Sequence, residues 1–193
     1  MFRLFLISVG SALALGAPIE PKINKHDGGF YLDIGKTVQD AVKRFDPFFE
    51  VWTENDFLPA IRESYKPSAA QTMAGIVGDF NGDKIKDVVL SGRNNKNNLL
   101  IAALSQPGGN FKVIEIERRP LTDPRRQWLE GPKGQTHGLW TFLSYNKPGI
   151  VTSHFEKQPL KINTDAFQEI YYEGGAVLYY FRDNRFQKYT TND

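Results

Sequence analysis

One short segment of this chain carries oxygen-bearing side chains at a spacing that suits a metal ion. Over residues 79–87, carboxylate or amide oxygens fall at positions 1, 3, 5 and 9 of the segment, on Asp79, Asn81, Asp83 and Asp87. Position 7 is Ile85, which offers only its backbone carbonyl. Calcium takes six to eight oxygens at about 2.3–2.6 Å, and a tight loop with oxygens at alternate positions can supply them. This segment, the acidic loop, therefore predicts a calcium site.

The residues around the acidic loop indicate which kind of calcium loop it is. Apolar runs at 73–77 and 88–90 flank it, which predicts strand–loop–strand. The helix–loop–helix calcium hand has glycine at position 6 and glutamate at position 12, where this chain has Lys84 and Leu90. The pattern over 76–92 instead resembles the calcium-binding loops of FG-GAP (VCBS-like) repeats in bacterial secreted proteins and integrin propellers. The resemblance implies Asp79, Asn81, Asp83 and Asp87 as side-chain ligands and the Ile85 carbonyl as a further ligand.

A metal-free turn is the alternative interpretation of the acidic loop. Asp, Asn and Gly form turns in which the side chains cap their own backbone. Three carboxylates within nine residues repel one another unless solvent or a cation neutralises them, which favours the metal. Lys84 replaces the glycine that is usual in the repeats. A left-handed backbone at Lys84 costs on the order of 1 kcal/mol, and its charge weakens the binding of a cation.

The first residues have the pattern of a secretory signal peptide. Arg3 precedes an apolar run at 4–15, and Ala14-Leu15-Gly16 has small residues at the spacing of a cleavage site. We expect a signal peptide over 1–16 and an exported protein, periplasmic or secreted. An uncleaved membrane anchor is the alternative, but the run is shorter than the roughly 20 residues of a span. No later segment reaches that length.

Composition narrows the function classes. The chain has no cysteine, which excludes disulfides, thiolate catalysis and zinc–cysteine sites. An exported chain without cysteine is typical of bacterial envelope or secreted proteins. The formal net charge of +2 provides no strong field toward nucleic acid. We predict a monomer with no nucleic-acid partner, and a protein or polysaccharide partner stays open.

Periodicity predicts an α+β fold, mainly antiparallel β-sheet with a small N-terminal helical part. Residues 17–35 form a predicted N-terminal arm with a strand at 30–34, and 36–193 a single domain. Thr37 and Asp40 predict a helix start, and a second helix is predicted at about 56–65. The chain carries no second copy of the acidic loop, which argues against a full propeller. Strands are predicted at 73–78, 87–92, 98–104, 111–117, 138–144, 149–154, 168–173, 176–182 and 185–189. Asp183 and Asn184 between the last two predict a closing hairpin.

A polar segment at 118–137 predicts a long surface loop, and the arginine and tryptophan side chains in and beside it predict a binding surface. Arginine and tryptophan are the side chains that most often dominate interfaces. A solvated loop whose tryptophans pack inward is the alternative. The residues of this predicted surface are Arg125, Arg126, Trp128, His137 and Trp140.

Residue types for catalysis are present without a decisive spacing. His137, or His154 with Glu156 on the same face of a strand, suits acid–base chemistry. Glu169 and Glu173 can be nominated as paired acids, but their spacing gives them no priority. The sequence thus favours an exported, calcium-stabilised module with a binding or structural role. An envelope hydrolase and an inhibitor or immunity protein are the alternatives.

Overall fold

Two antiparallel β-sheets packed face to face form the body of the protein. The computed structural model describes residues 20–26, 29–121, 138–156 and 158–191, so the predicted signal peptide lies outside it. Within those residues the predicted mainly antiparallel β-sheet is confirmed. The strands are β1 (Lys22–His26), β2 (Gly29–Asp33), β3 (Glu50–Val51), β4 (Gln71–Thr72), β5 (Gly75–Gly78), β6 (Asp87–Arg93), β7 (Asn97–Gln106), β8 (Asn110–Pro120), β9 (Thr141–Asn146), β10 (Gly149–Val151), β11 (Leu160–Ile162), β12 (Ala166–Tyr171), β13 (Ala176–Arg182) and β14 (Arg185–Thr191).

The first sheet is covered on both of its faces. Its strand order is β4-β5-β6-β7-β8, and β3 pairs with the far end of β6. Strands β5, β6 and β7 are near-continuous runs of buried residues, as expected where both faces of a sheet are packed. Val88 and Leu90 belong to the core on one face, and Val89 belongs to the core on the other. The first sheet is therefore the central layer.

The second sheet has the order β14-β13-β12-β9 and faces the first across an aromatic core. Phe167 stacks on Tyr179 with ring centroids 5.0 Å apart and meets Phe186 edge to face. Asp183 and Asn184 both take positive φ, 54° and 59°, which is the type I′ hairpin turn between β13 and β14. The predicted closing hairpin is thereby confirmed.

Among the described residues, two α-helices lie in the first third of the chain, and a separate N-terminal helical part is not confirmed. Helix α1 (Gly35–Phe45) follows the β1–β2 hairpin and packs Val38, Ala41 and Val42 on the outer face of the first sheet. It begins two residues before Thr37, and Asp40 pairs with Lys36 instead of capping the helix start. The predicted start was therefore wrong.

The second predicted helix is broken in two. A 3₁₀ turn (Glu54–Asp56) precedes helix α2 (Pro59–Ser64). Leu58 lies between them in an extended conformation, because a residue that precedes proline is pushed out of the helical region. No helix among the described residues is long and apolar enough to cross a membrane.

Candidate functional site

The acidic loop joins β5 to β6 and is fixed to the core by its second residue. Gly78 and Asp87 are paired at the ends of the two strands. Phe80 is fully buried between the sheets and meets Phe167 and Phe186 at centroid distances of 6.0 and 6.2 Å. The predicted strand–loop–strand arrangement is what the chain adopts, and the oxygen-bearing side chains are held in one turn.

The loop side chains cap the loop's own backbone. Asp79 accepts hydrogen bonds from the N–H groups of Gly82 at 2.7 Å and Lys84 at 3.0 Å. Asn81 Oδ1 accepts from Asp83 N–H at 3.0 Å, and Asp83 Oδ1 accepts from Ile85 N–H at 2.8 Å. Lys84 adopts a φ of 69°, so the left-handed position that favours glycine holds a lysine.

Asp87 is the buried member of the loop. Its side chain is fully buried, and Oδ2 accepts from the N–H groups of Phe80 and Asn81 at 2.9 and 3.2 Å. Oδ1 accepts from Ser105 N–H at 2.7 Å. Burial raises the pKa of Asp87 to about 6, although these hydrogen bonds act in the other direction. The N–H and hydroxyl dipoles therefore compensate only part of the cost of burying its charge.

Ser105 brings two carboxylates to one hydroxyl. Its Oγ lies 2.6 Å from Asp83 Oδ2 and 2.8 Å from Asp87 Oδ1. A serine hydroxyl has a single hydrogen, so it can donate to only one of these two oxygens. The Asn81 amide also donates to Ser105 Oγ, at 3.2 Å. The Asp83, Ser105 and Asp87 oxygens therefore make two short O···O contacts, but the Ser105 hydroxyl supplies a hydrogen for only one of them.

Asp165 connects the loop to the second sheet. Its Oδ2 accepts from Asp79 N–H at 2.8 Å, and its Oδ1 accepts from the Tyr145 hydroxyl at 2.6 Å. Asp165 N–H donates in turn to the Asp79 carbonyl at 3.1 Å. The Lys86 ammonium approaches Asp165 at 3.9 Å. Tyr145 lies on β9 and Asp165 directly precedes β12, so these contacts join the loop to both strands.

The predicted calcium ligands differ in how many acceptor positions they keep for a cation. Asp79, Asn81 and Asp83 lie at the surface or partly buried and keep acceptor positions beyond the hydrogen bonds described above. Asp87 has four contacts on its two oxygens, which fills the roughly four acceptor positions of a carboxylate. Among the residues that the structure describes, no three His, Cys, Asp or Glu side chains are arranged to hold a metal ion. Calcium binding therefore stays a prediction, with Asp87 as a support of the loop.

The predicted binding surface falls mostly outside the described residues. Arg125, Arg126, Trp128 and His137 belong to 122–137, which the structure does not describe. Trp140 is described: it is half-buried and meets Tyr171 edge to face at 5.3 Å. Its backbone carbonyl accepts from Tyr172 N–H at 2.8 Å. The Trp140 side chain thus packs in part on the core that includes Phe57 and Leu139, and its place in a binding surface stays a prediction.

The histidine–carboxylate pair predicted on a strand is not on one. Strand β10 ends at Val151, so His154 and Glu156 lie in an exposed bend. Ser153 Oγ accepts the N–H of Phe155 at 3.0 Å, which turns the chain there. The prediction that His154 and Glu156 share one face of a strand was wrong, because the strand ends at Val151, three residues before the predicted end at residue 154.

Glu169 belongs to a charge network between the sheets that sequence reasoning missed. The Arg119 guanidinium donates to Glu169 at 2.9 and 2.6 Å and also to Glu117. Glu117 further accepts from the Tyr179 hydroxyl at 2.8 Å and from Lys188. Burial opposes ionisation of Glu117, but Lys188 and Arg119 outweigh it and lower its pKa. We call these residues the inter-sheet charge network.

A β-bulge directs this network inward. On β8, Ile114 and Ile116 face the second sheet, so simple alternation would point Glu117 and Arg119 away from it. The register between β7 and β8 shifts between Leu100 and Ile101, whose partners are Glu117 and Glu115. The extra residue reverses the alternation. Glu173, the other nominated acid, is exposed in a turn with a φ of 55°.

Comparison with known proteins found no relative that could help to interpret this geometry. The chain matches no family model, no curated protein and no solved structure.

Proposed function

We propose that this chain is an exported, monomeric module with a binding or structural role, an α+β protein rather than a full propeller, whose acidic loop is stabilised by calcium. The observation that supports calcium is the crowding of Asp83, Ser105 and Asp87 oxygens around one hydroxyl hydrogen. One more positive charge, either a proton or a cation, would stabilise this cluster, in which the Asn81 amide already donates to Asp83 Oδ2 at 3.2 Å. Periplasmic and extracellular settings supply calcium at concentrations that fill weak sites.

Calcium would be held by the surface residues of the loop. Asp79, Asn81 and Asp83 would supply side-chain oxygens and Ile85 its carbonyl, while Asp87 stays bonded to the loop backbone. Bound calcium supplies positive charge among these oxygens. Because Phe80 and Asp165 join the same loop to the second sheet, a fixed loop stabilises the contact between the two sheets. The expected effect is on stability rather than on chemistry.

Thermal unfolding with chelator and then with about 5 mM calcium tests the proposal. We expect an upward shift in Tm for the wild type, because a ligand that binds only the folded state stabilises it. Asp83→Asn should lose the shift, since it removes one negative charge from the ligand set. Asp183→Asn is the matched control, because this exposed aspartate sits in the β13–β14 turn. Equal Tm values for the wild type with chelator and calcium would contradict the proposal.

Export is tested separately from calcium. Expression of the full chain in a bacterial host, followed by fractionation and mass measurement, should yield a periplasmic or secreted protein that begins after Gly16 or Ala17. An intact chain in the cytoplasmic fraction would contradict export. Among the described residues, no specific observation favours the hydrolase or the inhibitor over the binding module.

A further inference from the structure

A cavity of about 580 Å³ opens on the side of the protein away from the acidic loop. It lies between the β1–β2 hairpin, the segment from β3 to α2, and the residues after β4. Its size falls within the range of sites that take small molecules. Much of its lining is aromatic or aliphatic, including Phe30, Leu32, Trp52, Phe57, Tyr65 and Met73. An apolar body of a ligand would be removed from water there.

Arg62 is the cationic side chain among the residues that line this cavity. It is partly buried, and its described polar contact is a long one, from Nη1 to Asn55 Oδ1 at 3.4 Å. Within the described residues no carboxylate lies at ion-pair distance from Arg62, whereas Arg119 has two. A partly buried guanidinium without a carboxylate is suited to a bidentate contact with an acidic group.

The other polar groups of the lining limit the choice of ligand. The Tyr65 hydroxyl already donates to the Leu143 carbonyl at 3.1 Å. Glu54 is exposed at the lining and carries the opposite charge to Arg62. An anionic group is therefore attracted to Arg62 and repelled from Glu54, which favours a ligand with a single acidic group at one end.

The geometry points to a binding site for a small apolar anion, a molecule with an aromatic or alkyl body and one acidic group, with Arg62 as the residue that recognises the acid. This inference rests on the proposed binding role, for which it names the ligand class, and it is independent of calcium. The apolar lining supplies most of the affinity, and Arg62 supplies selectivity for the charged form.

Two fluorescent probes that differ in charge test the site. The anion 8-anilinonaphthalene-1-sulfonate should bind the folded protein at one molecule per chain. The neutral N-phenyl-1-naphthylamine, which lacks the sulfonate, should bind about tenfold more weakly, as expected for the loss of a charge-assisted contact. Equal affinity for the two probes would overturn the role of the charge, and no binding of either would overturn the site.

Variants locate the probe. Arg62→Gln should weaken the anion about tenfold and leave the neutral probe unchanged, and Glu54→Gln should strengthen the anion. Arg185→Gln is the matched control, because Arg185 is exposed on β14 in the second sheet. Thr72→Phe places a ring in the cavity and should weaken both probes. If wild type, Arg62→Gln and Thr72→Phe bind alike, the probe lies elsewhere and the inference fails.

The same titrations separate this inference from the calcium proposal. Binding of the anion should be equal in chelator and in calcium, because the cavity shares no residue with the acidic loop. Loss of probe binding with an intact calcium shift would overturn only the cavity site. An absent calcium shift with intact, Arg62-dependent probe binding would overturn only the calcium proposal. Circular dichroism of each variant must match the wild type for its result to count.

Discussion

Buried carboxylates lie at two places between the layers of this protein, and their charges meet different kinds of partner. Glu117 and Glu169 meet the Arg119 guanidinium, and Lys188 joins Glu117. Asp87 meets N–H groups and one hydroxyl, and no described lysine or arginine forms an ion pair with it. The pKa of Glu117 is lowered, whereas that of Asp87 is raised to about 6.

These partners show which of the two regions would gain from a further positive charge. The inter-sheet charge network is complete, because each carboxylate already has a cation. The acidic loop has three carboxylates and a hydroxyl contacting two of them. A proton or a calcium ion would complete it. We infer that the first region holds the sheets together as it stands, whereas the stability of the second would depend on a proton or a cation.

The largest expected effect follows from removal of the cation in the complete region. Arg119→Met leaves Glu117 and Glu169 buried without their guanidinium. Breaking a buried ion pair on one side costs about 3–5 kcal/mol, which corresponds to a fall in Tm of roughly 6–20 °C for a domain of this size. Chemical and thermal unfolding measure both quantities.

The neighbouring arginine provides the control. Arg118 pairs with Glu115 at 2.6 Å, but both side chains are more than one-third exposed. Exposed pairs contribute about 0–1 kcal/mol, so Arg118→Met should change stability little. Equal losses of stability for the two substitutions would mean that the inter-sheet charge network does not hold the two sheets together.

In the absence of calcium, the raised pKa of Asp87 predicts that the acidic loop contributes less to stability as the pH rises. The folded-state pKa of Asp87, about 6, lies above its ordinary value of 3.8, so the folded state favours the protonated form. The contribution is therefore fully present below pH 3.8 and is lost as the pH rises through 6. A shift of about two pKa units corresponds to on the order of 3 kcal/mol.

Urea unfolding in chelator across this pH range isolates the effect. Other carboxylates also titrate there, so the relevant quantity is the difference between the wild type and Asp87→Asn. We expect Asp87→Asn to be less stable than the wild type at pH 4. The asparagine NH₂ group would replace one carboxyl oxygen, and it cannot accept the hydrogen bonds that the backbone N–H groups donate there. The gap should narrow as the pH rises to 7. A gap that is constant with pH would contradict the raised pKa.

A smaller effect is expected at Lys84, where the loop backbone is left-handed. Lys84→Gly relieves strain of on the order of 1 kcal/mol, part of which is offset by the greater freedom of glycine in the unfolded chain. Lys84→Ala removes the same charge and keeps the φ of 69°. In chelator, therefore, the glycine variant should be more stable than the alanine variant. Equal stability would mean that backbone strain contributes nothing.

The parts of the fold that the sequence predicted are those set by local patterns. The apolar runs around the acidic loop predicted β5 and β6 because these strands are buried on both faces. Asp183-Asn184 predicted the last hairpin because both residues tolerate a left-handed backbone. The acidic loop itself was located by spacing, since its caps run between residues at most seven apart.

The parts that were missed depend on distant residues. Ser105 reaches Asp87 from 18 positions away, and Asp165 reaches Asp79 from 86. The bulge that turns Arg119 inward leaves no mark in the sequence of β8, where Arg118 and Arg119 are two adjacent arginines. Tertiary packing decided these contacts, so no local pattern could have revealed them.

The most direct test of calcium stabilisation is the Tm of the wild type in chelator and in about 5 mM calcium, measured at pH 7 and at pH 5. For a weak site with Kd of about 0.1–1 mM, we expect a gain of about 1–2 kcal/mol at pH 7. The Tm should rise by roughly 2–8 °C, and the rise should shrink at pH 5, where a proton on Asp87 supplies the missing charge. Identical Tm values in chelator and calcium at pH 7 would contradict the account and leave the acidic loop as a turn that caps itself.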